Sequence, residues 1–471
     1  MRYLVVVAAL CGCWYSSWAA AAPFDDLANR LEQFDEQDVP RKSRSRDNWN
    51  DEIDMQRPSR SRDHFASYPQ SKTAEAVPAP VPQADNGPTN EGPYDDEPIW
   101  DQGFDGCDGG WCGFGSCQCR QFWGRAEYLE WWVRGSNTPP LVTTSPSGTP
   151  VGVAGVLPGA SVLFGDQRIN GQGRSGGRFS LGYWFDNCDT VGVEDTFLFL
   201  GNVHERFDAS SDGSPILARP FFNTDSGLQD AVLIAFPAVV VGSISVTSDS
   251  RVYGNEINMR RALYIDGCRR VDLLAGYRFF QLNEDLRVTT NTTSIATDTP
   301  IQVGTRFGIF DSFQTRSQFN GGQLGINWRC YGGCWGLDLL AKVAVGGMTQ
   351  TVSIDGQTVV TPPQGQTSTS RGGILAQNSN IGQFQRSRFA VLPEFGVNLH
   401  RQLNACWKLN IGYSLLIVTN VVRPGDQIDT QLDPNQFPPP ATAGPFTFPK
   451  FAFNDSDIWL QGINVGLEYN F

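Results

Sequence analysis

At the end of this chain Ile463, Val465, Leu467, Tyr469 and Phe471 alternate with Asn464, Gly466, Glu468 and Asn470, so the last strand has one apolar face and closes on an aromatic residue. This period of two limits the fold more than any other feature, because successive side chains of a strand point to opposite faces of a sheet. The pattern recurs upstream. In Arg178–Phe185 the apolar face is Phe179, Leu181, Tyr183 and Phe185; in Arg270–Leu282 it is Val271, Leu273, Ala275, Tyr277 and Phe279. Trp335–Gly346 offers Leu337, Leu339, Ala341, Val343 and Val345, and Phe389–His400 offers Phe389, Val391, Phe395 and Val397. Trp407–Val418 sets Trp407, Leu409, Ile411, Tyr413, Leu415 and Ile417 against Lys408, Asn410, Gly412 and Ser414.

Spacing sorts these strands into pairs. Short turns fall at Asn187–Thr190, Asp266–Cys268, Cys330–Cys334 and Arg401–Cys406. Between the pairs lie long connections at about 135–172, 202–250, 284–315, 351–385 and 421–455, far beyond the ~2–6 residues usual in compact domains. Alternating short turns and long loops is the arrangement of an outer-membrane barrel, whose periplasmic turns are short and external loops long. The spacing predicts ten strands, near 121–134, 174–186, 191–201, 251–265, 269–283, 316–329, 335–350, 386–400, 406–420 and 456–471. The expected fold is all-β: a transmembrane antiparallel up-and-down β-barrel with both termini on the periplasmic side. An extra hairpin within Val239–Asp249 would raise the count to twelve. A closed barrel satisfies every backbone donor and acceptor in lipid, so the final strand must pair with the first, and Tyr469 and Phe471 are the expected barrel-closing C-terminal signal. A soluble β-sandwich would alternate too. Export, loop asymmetry and the aromatic end together favour the membrane barrel.

Export is read from the start of the chain. Met1-Arg2, the apolar run Leu4–Cys13 and the small residues of Trp18–Ala22 have the layout of a secretory signal peptide, assigned to residues 1–22. Residues 23–106 hold 19 acidic and 9 basic residues and the Pro-rich stretch Val77–Pro98. Such a segment cannot bury enough apolar surface to offset its ordering entropy, and a disordered acidic linker is expected. A Cys-rich periplasmic segment, 107–120, leads into the barrel at 121–471. The acidic surroundings of the arginine runs near Arg41 and Arg57 exclude a nucleic-acid patch. Beyond the N-terminus no apolar run approaches the ~18 residues of a membrane helix.

The faces opposite the apolar ones should line the lumen. They carry Arg178, Arg260, Arg278, Arg329, Lys342 and Lys408 against Glu194, Glu256, Asp272, Asp338, Glu394 and Glu468. Equal numbers of each sign give no ion preference. Eight strands enclose just enough space for side chains, so a ten-stranded barrel with this lining can be plugged by its own salt bridges. Two charges fit badly: Asp195 and Arg261 fall on apolar faces, and a cross-strand pair between them near the inner rim is the expectation. For the first strand, charges fall on both faces and no orientation is assigned.

Eleven cysteines leave nine after signal cleavage, and exported cysteines can form disulfides. Cys188, Cys268, Cys330, Cys334 and Cys406 fall in or beside short turns, while Cys107, Cys112, Cys117 and Cys119 precede the barrel. All nine are therefore expected on the periplasmic rim as disulfide candidates, with metal binding disfavoured by their spacing. Gly171–Gly176 and Gly173–Gly177 match a dinucleotide loop and a nucleophile elbow, but both motifs need a helix after them, and here a strand follows. With three histidines in the chain and no nucleophile set, no enzyme activity, cofactor or metal is expected.

The chain also resembles a β-barrel porin family found mainly in planctomycete bacteria. The resemblance spans about Gln121 to Phe471 and lies in FWGRAEYLEWWVRGSNTPPLVTTSP (122–146), VLFGDQRINGQGRSGGRFSLGYWFD (162–186) and DLLAGYRFFQLNEDL (272–286). It continues in FNGGQLG (319–325), LPEFGVNL (392–399), GYSLLIVTNVVRPGDQID (412–429) and IWLQGINVGLEYNF (458–471). It implies an exported barrel in the cell outer membrane, with outer-membrane lipid and the barrel-insertion machinery as partners. Two functions follow. One is a porin-like passive channel for small hydrophilic solutes; the other is a plugged structural or adhesive barrel displaying its loops. The family's label favours the channel, which is the reading taken from the sequence; a homo-oligomer is left open.

Overall fold

The computed structural model describes residues 121–438 and 446–471. The signal peptide, acidic linker and Cys-rich segment expected within 1–120 lie outside the described residues.

Ten strands form the wall: β1 (Phe122–Val133), β2 (Gly173–Trp184), β3 (Val191–Ser211), β4 (Val240–Asp266), β5 (Arg269–Ser294), β6 (Arg306–Gly332), β7 (Trp335–Thr361), β8 (Gly382–Gln402), β9 (Trp407–Val422) and β10 (Asp455–Asn470). Each pairs antiparallel with the next, and β10 returns to β1 in a register that sets Arg125 opposite Glu468 and Tyr128 opposite Val465. The amide of Phe471 donates to the carbonyl of Phe122 at 2.9 Å, so the terminal aromatic completes the closure. Tyr469 packs between Phe471 and Trp407, with ring centroids 4.8 and 4.7 Å away. A short strand, Ser368–Arg371, adds to the upper part of β7 beside the ring.

The expected all-β barrel, its ten strands and its short turns are found. The twelve-strand alternative is not: Val239–Asp249 holds no hairpin, since β4 runs through it. A further hairpin does exist, Leu217–Asn223 with Leu228–Ala235, but it joins Val142–Thr144, Ser161–Phe164 and Gln431–Leu432 in a separate sheet rather than entering the wall. The strands are also longer than expected toward the long loops, reaching 27 residues in β4, β6 and β7.

Their length has a physical pattern: the apolar face changes sides partway up. On β5, Val271, Leu273, Ala275, Tyr277 and Phe279 point outward, whereas from Phe280 upward the apolar residues Phe280, Leu282, Leu286 and Val288 point inward and are fully buried. On β7 the outward set Leu337–Val345 gives way to inward Met348, Val352 and Ile354. The lower outward band is continuous around the ring, with Tyr128, Leu181, Ile257, Leu324, Val397, Ile411 and Ile463 among its exposed members. On β7 it covers nine residues, within the ~9–11 a tilted strand needs to cross a bilayer. Aromatic residues edge it below (Phe122, Trp335, Trp407) and above (Trp132, Tyr277, Phe389), as at membrane–water interfaces. Above it the outer wall is polar, with Thr349, Thr351, Ser353 and Asp355 on β7.

The expected Asp195–Arg261 pair does not form. The β3–β4 register puts Asp195 opposite Ile257 and Arg261 opposite Val191, so four residues separate them along the strands. The Asp195 carboxylate instead accepts from Asn255 Nδ2 at 2.8 Å.

Candidate functional site: the filled lumen

The inward faces of the ten strands build strata, and β5 samples all of them in order. Arg270, Asp272 and Arg278 belong to an ionic belt, Phe280 and Leu282 to an apolar layer, Glu284 to a buried ionic node, and Leu286 and Val288 to a second apolar core.

The belt contains all twelve residues that alternation assigns to the lumen; eleven have an ionic partner, and the twelfth, Asp338, faces the His400 imidazole. Arg178 donates to Glu127 at 2.5 and 3.0 Å. Arg260 bridges Glu194 at 3.1 Å and Asp272 at 3.3 Å, and Asp272 also receives Arg270 and Arg329. Glu468 receives Lys408 at 2.9 Å and Arg125 at 2.6 Å, while Asp338 lies 3.4 Å from His400. Some bonds cross the lumen instead of following neighbouring strands. Arg278 of β5 reaches Glu394 of β8 at 2.6 Å, and Lys342 of β7 reaches Glu256 of β4 at 2.5 Å while also pairing at 3.2 Å with Glu394, its opposite number on the neighbouring β8. Gln323 donates to both Glu256 and Asn258, and Asn464 to both Glu127 and Asn398. Buried charges persist only when paired and hydrogen-bonded; this network supplies the ion pairs and most of the hydrogen bonds, Glu394 Oε2 being held by its ion pairs alone. The space is tight enough that small residues are required: at inward Gly182 a Cβ would lie 2.1 Å from the Trp123 ring.

Directly above, Leu129, Trp131, Val133, Leu200, Val252, Phe280, Phe319, Met348, Leu392, Leu416 and Leu460 close on one another across the barrel. Each is less than 5 % exposed, which in a ring of ten strands leaves no aqueous passage at this level among the described residues. Above that layer Arg423, the residue after β9, donates from Nε and Nη2 to Glu284 of β5 at 2.7 and 2.6 Å. Glu284 also accepts from Ser250 Oγ, which in turn accepts from Arg174.

The long connections then fold inward over the mouth. Leu141, Phe164, Leu217, Phe221, Leu375 and Leu432 from the loops pack on Ile244, Val246, Leu286, Phe313 and Val352 of the wall. Asp311 of β6 pins this cap. One of its oxygens accepts from the amides of Ile374, Leu375 and Ala376 at 2.8–2.9 Å, and the other pairs with Arg219 at 2.7 Å.

Sequence reasoning missed Arg125, Glu127, Arg174, Arg219, Glu284, Asp311 and Arg423. The two on β1 were hidden by Glu130, an outward carboxylate held by Tyr128 and Ser175. The others lie in the upper strands or loops, where the polarity of the faces is reversed. Cys188, Cys268, Cys330, Cys334 and Cys406 all lie at the short-turn end, whereas Cys107, Cys112, Cys117 and Cys119 lie outside the described residues. Gly173–Gly177 opens β2 and no helix follows it. His204 faces outward on β3 with its Nδ1 3.1 Å from Asp249.

No curated protein matches the chain. Among solved structures, the outer membrane protease OmpT from Escherichia coli aligns at 10% identity over 74% of this chain and 97% of its own, with a TM-score of 0.33. A Pseudomonas aeruginosa FadL homologue aligns at 7% identity over 75% and 90%, with a TM-score of 0.20. The Ralstonia pickettii toluene transporter TbuX aligns at 9% identity over 74% and 90%, with a TM-score of 0.13. No residue role is carried over from any of them. Residues 123–471, the whole of the closed barrel with its belt and cap, match the family described as "Putative beta barrel porin-7 (BBP7)", and the chain belongs to that family of porin-like outer-membrane β-barrels.

Proposed function

We propose that the protein is a closed structural barrel of the outer membrane, with its long-loop end outward as a capped head and its N-terminal segment in the periplasm. The observation that carries this reading is the apolar layer across the lumen, which lies directly above a belt of cross-linked ion pairs. Water and ions crossing such a barrel would have to enter a dry stratum and also break salt bridges held in low dielectric. The test is planar-bilayer recording on the full mature chain, folding being verified by heat-shifted gel mobility. The reading requires electrical silence; discrete steps of reproducible size would overturn it.

A second reading, a passive channel for small hydrophilic solutes, is supported by the family's description and by the charged belt. It requires the Arg423–Glu284 node and the cap to move aside, which the same recording would reveal as conductance appearing under voltage or low pH. Under either reading the aromatic end, Tyr469 and Phe471, is what the insertion machinery would recognise. Two cysteines of the short-turn end, Cys268 and Cys334, would then be cross-linked to the Cys107–Cys119 segment, while Cys188 and Cys330 keep free thiols. Mass spectrometry of non-reduced peptides tests that clamp.

A further inference from the structure

On the outer wall, one row of the sheet just above the apolar band carries two arginines with no carboxylate within ion-pairing distance among the described residues. The β4–β5–β6–β7 register aligns Arg251, Asn283, Arg316 and Thr351 across four neighbouring strands, and both arginines are exposed. The row beneath holds Tyr253, Gln281 and Gln318, and the Tyr253 ring packs on Phe279 at the top of the apolar band, centroids 6.0 Å apart. The row above holds Asp249 opposite Asp285. Asp249 is engaged by Asn202 Nδ2 at 3.2 Å and His204 Nδ1 at 3.1 Å rather than by Arg251.

The geometry points to a binding site for the phosphate of an anionic lipid head group, held between Arg251 and Arg316 over Asn283. Neighbouring strands stand about 4.8 Å apart, so the two arginines flank Asn283 at a backbone separation of roughly 10 Å, a span that both guanidinium groups can close onto one phosphate. Height selects the source. The row lies where a bilayer's head groups meet the wall, directly above the aromatic edge, and long basic side chains at that level reach toward lipid phosphates. The acidic row above repels an anion placed any higher, so the phosphate sits at the arginines with its acyl chains along Phe279 and Tyr277. This assignment rests on the barrel's seat in the membrane and holds whether or not the lumen conducts.

The experiment is native mass spectrometry of the full mature chain, folded in detergent, after exposure to phosphatidylglycerol or to phosphatidylcholine of the same acyl chains. Wild type should retain phosphatidylglycerol selectively. Arg251→Gln and Arg316→Gln should each lower its occupancy about fivefold, and together about twentyfold or more. Arg287→Gln serves as the control, since Arg287 stacks on Phe310 above the acidic row at 4.1 Å, and it should leave occupancy within about twofold. Equal retention of the two lipids by wild type, or unchanged retention in the double variant, would overturn the site. Displacement of the lipid by inorganic phosphate would overturn the head-group source and leave a site for free anions. Should the double variant fail to fold, the two single variants and the fall of wild-type retention with added salt still decide the matter.

Discussion

Replacing Arg423 with methionine removes one charge from the node between the two apolar strata and leaves Glu284 with one hydrogen bond, from the hydroxyl of Ser250, behind which Arg174 stands. The side chains of Arg423 and Glu284 are 2% and 0% exposed, so bulk water cannot take over. Two charge-assisted hydrogen bonds to Glu284, at 2.7 and 2.6 Å, are lost, and with them the bond from Nη1 to the carbonyl of Arg134. At a charge separation of ~4 Å and an effective dielectric constant near 20, the lost attraction is ~4 kcal/mol. Breaking a buried pair from one side typically costs about 3–5 kcal/mol, which agrees. Arg423→Met should therefore lower unfolding free energy by about 3–5 kcal/mol, read by urea unfolding of the vesicle-inserted barrel through tryptophan fluorescence. The double variant Arg423→Met/Glu284→Leu should recover most of that loss, because apolar residues of similar size replace a buried pair at little net cost. A single-variant loss below ~1 kcal/mol, the range of a solvent-exposed pair, would mean that the node is hydrated and the lumen is not sealed.

Three further outcomes are expected. Asp311→Ala strips the acceptor from three buried amides and the partner from Arg219, at about 1–3 kcal/mol for each group left unsatisfied; proteolysis should then cut within 372–381 while the barrel stays resistant. On the upper wall, burial and the like charge of Asp249 opposite raise the Asp285 carboxyl above the ordinary carboxylate range, against an opposing hydrogen bond from Gln314. The folded protein therefore holds that proton more tightly than the unfolded chain, and stability falls as pH rises through the interval between the two pKa values. Asp285→Asn should stabilise by about 0.2–1 kcal/mol at neutral pH and lose that advantage below pH ~4, as measured by unfolding at both pH values. Asp195→Leu and Arg261→Leu should act independently, since roughly 13 Å of strand separates the two sites; a coupling above ~0.5 kcal/mol in their double-mutant cycle would contradict the register.

Alternation made the membrane-spanning half of this protein legible. In that half lipid outside and a polar belt inside force opposite demands on successive residues, so Val271 through Phe279 could be set outward and Asp272 and Arg278 inward from the sequence alone. The same rule hid the upper half. There the solvent is water and the interior is apolar, so Leu286 and Val288 take the parity that Asp272 has lower down. A reading that holds parity fixed ends each strand at the reversal, near Phe279 and Phe280 on β5. The pairing inside the belt was less accessible still. Arg278 and Glu394 are separated by more than a hundred positions and by two intervening strands of the ring, and only the diameter of the closed barrel brings them together. Asp311 gave no signal, because its partners are loop amides whose position depends on the cap being packed.

The reversal also has a mechanical consequence. The same four strands, β4 to β7, run without interruption from the lipid-embedded band into the capped head, so no linker joins an anchor to a separate domain. A hinge would need backbone free of the ladder, and the pairing of these strands continues to their upper ends. The head therefore cannot swivel on its anchor. A sideways pull on the cap is transmitted through continuous hydrogen-bonded sheet as a tilting moment on the bilayer, and a change in the slope of the membrane turns the head by the same angle.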